Sequence, residues 1–377
     1  MFRPVLRPIA WIRASAALDV LALTLAGEVC GQGSSDAWRP RTTPLLGISY
    51  SPDIELVIGA GIVHTRYGFR ALPPSTRLRA EAAYATGART YRVDIAVELR
   101  RPGPPTVYNF ELHASGLDLT RFYGVGNESD GSQPDSVYRV RQQQVLPLPS
   151  ITTPLAPRLR LTAGPLLKYS HTRDDPWTLL ATTGPYYGAG DFGQVGLHTR
   201  IDLDTRDNGA AAAHGARVTV AGQWYPAVWS VVDPFGRISA QASTYASVGD
   251  PATATLAVRA GAAAVSGGAP FQELVYVGGA TTVRGYAEQR FAGRQGAYAN
   301  AELRLLADRA SVGDIGILGL ADVGRVWTPG ESSDVWHAAA GGGLWFAWRH
   351  RRDNTVSIVA ARSPERTGIY VRVGFLF

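Results

Sequence analysis

Between Gly278 and Gly293 the chain reads GGATTVRGYAEQRFAG, a glycine-rich connection that carries Val283, Arg284, Gly285 and Tyr286 in unbroken order. A plain turn is built from Gly, Pro, Asn, Asp or Ser, so these four residues are the part of the connection with chemistry in it. Arginine presents five donors in a rigid fork that fits a carboxylate two-pronged. Gly285 allows a sharp turn and close approach to a wall, and Tyr286 adds an amphipathic surface for packing. That chemistry is recognition and locking rather than bond-making. No G-x-S-x-G elbow and no H-E-x-x-H helix occurs. The seven histidines are dispersed, and His198 stands beside Arg200 and Asp202 with no identifiable nucleophile. A single cysteine excludes a disulfide framework or a cysteine-built zinc centre. GAGDFG at Gly188–Gly193 matches a dinucleotide fingerprint by letters only, because no helix is predicted after it. The expectation is no catalytic residue, no metal ligand and no cofactor.

The elements that must hold this loop are strands. In YRVDIAVELR, Tyr91, Val93, Ile95, Val97 and Leu99 alternate with Arg92, Asp94, Ala96, Glu98 and Arg100. In VGLHTRIDLD, Val195, Leu197, Ile201 and Leu203 alternate with His198, Arg200, Asp202 and Asp204. A period of two means one apolar and one polar face. The polar face carries charges of both signs, and the segments run about ten residues, the length of a tilted transmembrane strand. No stretch of the chain reaches the ~18 apolar residues of a membrane helix. The fold class predicted is all-β: a sixteen-stranded antiparallel transmembrane barrel. Its strands are expected to begin near 44, 56, 77, 90, 105, 137, 157, 191, 214, 236, 252, 295, 313, 335, 353 and 367. One set of connections is short or proline-rich (RPGPP, LPSITTPLAP, GDPA, HRRDN). The other includes the long ones from Ser115, from His171 and around Arg284. Short turns on one side and long loops outside the cell are the habit of such barrels.

The same alternation aims two carboxylates inward. In AELRL, Ala301, Leu303 and Leu305 face lipid and Glu302 faces the lumen; in DIGILGLADVG, Ile315, Ile317, Ala321 and Val323 face lipid and Asp322 faces the lumen. At the end of the chain, GIYVRVGFLF places Ile369, Val371, Val373, Phe375 and Phe377 on the predicted lipid face, with Tyr370 on the other. At the start, Arg3, Arg7 and Arg13 precede the apolar run AALDVLALTLAG and the small residues near Gly31, the pattern of a cleaved export signal. The predicted organisation is a signal peptide over 1–31, a short periplasmic lead-in over 32–43 and an outer-membrane barrel over 44–377. The net charge of +6 comes from scattered basic residues that form no stripe, so no nucleic-acid partner is expected.

GG…TVRGY…R…G, followed by YANAELRL and GLADVGRVW and by a terminal Phe377, resembles the carboxy-terminal half of the BamA/TamA superfamily, also called bacterial surface antigens. DLDTRDN…HGARVTV and RFYGVGN resemble family segments too. The resemblance covers roughly residues 44 to 377. It implies a sixth extracellular loop folded into the lumen, with Val283, Arg284, Gly285 and Tyr286 as its tip and inner-wall acids, here Asp322 and Glu302, as partners of the arginine. It implies an assembly signal in the last strand at Tyr370, Val373, Phe375 and Phe377, and a weak seam between the first and last strands. Where the family has Phe two residues before the aspartate, this chain has Leu320. Assembly factors of the superfamily carry polypeptide-transport-associated domains before the barrel, and the sequence shows none of that size.

The function implied is insertion of proteins into the outer membrane, or transport across it. The partners expected are outer-membrane lipid and lipopolysaccharide, an unfolded outer-membrane or secreted client, and a separate periplasmic protein. A pore partly plugged by its own loop, a surface antigen without a transport role and an outer-membrane enzyme are the competing readings.

Overall fold

A computed structural model of the chain describes residues 38–68, 71–103, 105–351 and 354–377. The signal segment expected over 1–31 lies outside the described residues. The strands are β1 Arg41–Ser51, β2 Glu55–Gly68, β3 Ala71–Ala85, β4 Thr90–Arg100, β5 Val107–Ser115, β6 Gln142–Ala156, β7 Leu159–Thr172, β8 Asp191–Asp204 and β9 Gly215–Tyr225. They continue with β10 Phe235–Val248, β11 Ala254–Gly267, β12 Val275–Val277, β13 Phe291–Gly293, β14 Gln295–Ala310, β15 Gly313–Trp327, β16 His337–Trp348, β17 Thr355–Arg362 and β18 Thr367–Val373. All but β12 and β13 form one closed antiparallel barrel of sixteen strands, in which β11 pairs directly with β14. β12 and β13 pair with each other as a small separate sheet within the connection between β11 and β14.

The barrel follows from the alternation. On β15, Ile315 and Ile317 are exposed while Leu318, Leu320 and Asp322 are buried. Leu46, Ile48, Ile58, Leu344, Ile358 and Ile369 likewise stand exposed on the outside. Such a continuous aliphatic band belongs against hydrocarbon and would aggregate in water. The closed barrel crosses with its strands, a solution that satisfies every backbone group in lipid; no described helix is long and apolar enough to cross a membrane.

The two ends differ as the connections predict. One end has turns such as 157–158, 311–312 and 249–253. The other has the long connections 116–141, 173–190, which contains a short helix α1 at Leu179–Thr183, and 268–294. Three expectations need correction. LPSITTPLA is not a connection but lies within β6. Pro147 and Pro149 have no N–H to give, and the β6–β7 ladder is broken from Leu146 to Ser150, while β5 stays in register with β6. β1 starts at Arg41, inside the expected lead-in. The last strand stops at Val373, where Gly374 turns the chain at φ 86°.

Candidate functional site

Loop 268–294 drops into the barrel, and its tip is clamped by β14 and β15. Arg284 donates through Nε to Asp322 Oδ2 at 2.7 Å and through Nη2 to Asp322 Oδ1 at 2.8 Å. Its Nη1 reaches Glu302 Oε1 at 2.8 Å, and its backbone N–H adds a bond to Asp322 Oδ2 at 3.1 Å. All three side chains are buried. Burial works against the charge on Arg284, but the hydrogen bonds to Asp322 and the nearby charges of Glu302 and Asp322 outweigh it and hold its pKa above the ordinary guanidinium value. The inward parity of β14 brings two further residues into the cluster. Asn300 donates to Asp322 Oδ1 and to the Thr282 carbonyl, and Arg304 donates to Glu302 Oε2 at 2.7 Å. Arg259 on β11 holds Asn300 Oδ1 and the Thr281 carbonyl.

The rest of the tip is fitted around this cluster. Val283 is fully buried with Val277, Tyr286, Phe291, Val326 and Ala339. Gly285 sits at φ 86°, and a Cβ there would come within 3.0 Å of the Ser363 nitrogen. Its N–H donates to the Tyr370 hydroxyl at 2.8 Å, and its carbonyl accepts from Ser363 Oγ at 2.7 Å. Tyr286 meets Phe291 and His337 edge-on, each at 5.5 Å between ring centres. Leu320, standing where the family has Phe, is buried in the inward cluster with Trp345 and Tyr370.

A second cluster, not anticipated from sequence, surrounds Asp53 in the turn between β1 and β2. Arg366, in the turn between β17 and β18, donates to Asp53 Oδ1 at 3.0 Å and to the Tyr286 carbonyl at 2.7 Å. Arg121 approaches Asp53 at 3.2 Å, and the Glu288 N–H bonds to it at 3.2 Å. Burial, then the charge of Asp53, push the Glu288 carboxyl up to about 7, against the opposing pull of the Ala280 N–H, Arg366 and Arg121. Loop 116–141 joins in: Gln289 Oε1 accepts from the Thr120 and Arg121 backbones, and the Asn127 side chain spans Val326 and Val335. Strand parity could have found Asn300 and Arg304, two positions either side of Glu302. Asp53, Arg366 and Glu288 sit in turns, where no period marks them.

The terminal residues are placed differently from expectation. Tyr370 faces inward, as parity requires, and holds Gly285. Val373 is buried, in register with Val356. Phe375 and Phe377 do not face lipid. Beyond Gly374 the chain turns into the lumen, where Phe375 packs on Trp345 and Phe377 lies over Arg259. The reason is electrostatic as well as steric: the ring faces meet the guanidinium groups of Arg304 and Arg259.

A closed sixteen-stranded barrel with an arginine-tipped loop bonded to its inner wall defines a transmembrane β-barrel with a connection folded inside it. Residues 76–350 match the Omp85 superfamily domain, and the chain belongs to that superfamily. Among solved structures it is similar to BamA from Haemophilus ducreyi lacking POTRA domains 1–3, with a TM-score of 0.63 and 13% identity over 89% of this chain and 71% of that one. It is also similar to CdiB from Escherichia coli, with a TM-score of 0.58 and 16% identity over 89% of this chain and 63% of that one. CdiB from Acinetobacter baumannii follows with a TM-score of 0.51 and 12% identity, 60% of its length being covered. No curated protein matches the chain.

Proposed function

We propose that this barrel aids insertion of proteins into the outer membrane, or their passage across it, by opening between its first and last strands. The observation that carries this reading is the seam. β1 pairs with β2 along its whole length, from Arg41↔Thr65 to Ser51↔Glu55, but with β18 through the single pair Tyr50↔Val371. Each unmade rung leaves backbone donors and acceptors available. An opened seam offers a strand edge to which an incoming strand can add. The hydroxyls of Ser49 and Ser51, on the inner side of β1, have no hydrogen-bond partner among the described residues. With Val371, Val373 and Phe375 they line a cavity along this seam. The Asp53–Arg366 ion pair joins the two turns at its outer end, and the loop tip bonds to both of those turns. The loop is therefore placed to sense or hold the seam.

The test uses refolded protein in proteoliposomes and follows the folding rate of an unfolded model barrel. Faster folding than in empty liposomes, diminished by Arg284→Ala, supports the reading. No acceleration by the native protein refutes a barrel that inserts clients unaided. A second reading, a channel plugged by its own loop, draws on the polar inner wall, where Arg92, Asp94, His113 and Asp118 form one hydrogen-bonded network. Under that reading Arg284→Ala raises ion conductance and leaves client folding untouched.

A further inference from the structure

The turn end of the barrel is an arginine surface. Arg66, Arg101, Arg158, Arg309, Arg349 and Arg351 are all exposed there, and none is paired with a carboxylate among the described residues. They lie on an arc of strands that runs from β14 through the seam to β7. Among the described residues the exposed acids at that end are Asp207, Asp250 and Asp308, and two of these are turned to their own backbone. Asp207 accepts from the Asn208 and Ala213 N–H groups, and Asp308 from the Arg309 N–H. The loop end is the opposite. Exposed Glu55, Asp130, Asp174, Asp233, Glu331 and Asp334 belong to a set of acids that outnumbers the exposed arginines there.

We infer that the turn end binds the phosphate headgroups of anionic phospholipid in the adjacent leaflet. Three observations favour lipid over an acidic protein. The arginines are strung around the rim instead of gathered in one patch, which suits a ligand present on every side. They adjoin lipid-facing residues: Arg101 lies 5.2 Å over the ring of Tyr108, which shares an outward row with Leu99 and Ile151, and Arg158 follows exposed Leu155. Exposed Trp348, edge-on to Phe346, precedes Arg349 in the same way. An aromatic ring at headgroup depth with a guanidinium beyond it is the arrangement that anchors a protein at a membrane interface. Arginine also takes phosphate oxygens two at a time. The loop end also sets Arg325 over the exposed Trp327 ring, but its exposed acids outnumber its exposed arginines, so the protein distinguishes the two leaflets by charge.

The test is native mass spectrometry of folded, detergent-solubilised protein titrated with phosphatidylglycerol or with phosphatidylcholine of the same chain length. Folded barrels are scored separately by their heat-modifiable gel mobility. The native protein should retain more phosphatidylglycerol than phosphatidylcholine. The variant R101Q/R158Q/R349Q/R351Q should lose phosphatidylglycerol adducts several-fold, whereas the loop-end variant R89Q/R139Q/R362Q should keep them. Equal retention of the two lipids by the native protein overturns the assignment, as does equal loss in the two variants. Absence of lipid preference with capture of poly-L-glutamate overturns it in favour of an acidic protein partner.

Discussion

The guanidinium of Arg304 lies 4.0 Å from the centre of the Phe375 ring while its N–H groups hold the carboxylate of Glu302, the same carboxylate that receives Arg284. Arg304 Nη2 also reaches the Phe377 carbonyl at 2.8 Å. The loop tip and the residues beyond Gly374 are thus parts of one polar cluster, joined through two neighbouring positions of β14. Arg304→Ala should therefore unseat both. With Glu302 left to a single partner in a buried site, the expected loss is about 3–5 kcal/mol of unfolding free energy. Phe375→Ala should cost about 0.5–2 kcal/mol for the cation–π contact, plus its packing on Trp345. Urea titrations in detergent, read by tryptophan fluorescence, measure both. An Arg304→Ala midpoint equal to that of the native protein would show that the tail is not held by this cluster.

Arg284 makes its bonds as a planar fork, so a point charge is not a substitute. Arg284→Lys keeps the charge but cannot bridge both oxygens of Asp322 and reach Glu302 as well. It should fall between the native protein and Arg284→Ala, for which the loss is again about 3–5 kcal/mol because two buried carboxylates lose a partner. The same urea titration ranks the three proteins; Arg284→Lys matching the native midpoint would count against the two-pronged geometry.

Glu288 should make the stability of the folded protein depend on pH. Its carboxyl is raised from 4.5 to about 7 in the folded protein, by burial first and then by Asp53, with Arg366, Arg121 and the Ala280 N–H opposing. A raised folded-state value means that its contribution to stability is complete below about 4.5 and is lost as pH climbs through about 7. The urea midpoint of the native protein should fall between pH 5.5 and pH 8.5. In Glu288→Gln, which stays neutral throughout, this component of the fall should be missing. Identical pH profiles for the two proteins would show that Glu288 is not the source of the fall.

Strand parity is the part of this molecule most open to reading from sequence, because one register fixes every side chain on a strand at once. That is why Glu302 and Asp322 can be aimed at the lumen from two apolar rows. Parity stops where the chain stops being a strand. Phe375 and Phe377 keep the alternation of Ile369 and Val371 in sequence, yet Gly374 breaks the strand and the following aromatics find Arg304 and Arg259 instead of lipid. The prolines of β6 mislead in the other direction. They mark a turn by type, but here Pro147 and Pro149 lie where the ladder with β7 is broken. Asp53 and Arg366, 313 positions apart, meet only because the barrel closes β1 on β18. No local pattern encodes such a pair.

The seam supplies the sharpest separation between opening and plugging. Tyr50 and Val371 face each other across antiparallel strands, so their Cα atoms fall within the span a disulfide bridges, roughly 4.4–6.8 Å. Tyr50→Cys/Val371→Cys, oxidised, should join β1 to β18 covalently without disturbing the Arg284 cluster, whose carboxylates lie on β14 and β15. If clients enter through the seam, the oxidised protein loses its effect on client folding and recovers it on reduction, while conductance stays as in the native protein. If the barrel is a plugged channel, oxidation changes nothing and Arg284→Ala alone alters ion flow. Oxidised protein that still accelerates client folding would place the insertion route elsewhere on the barrel, because a covalent β1–β18 bond leaves no edge for a client strand to join.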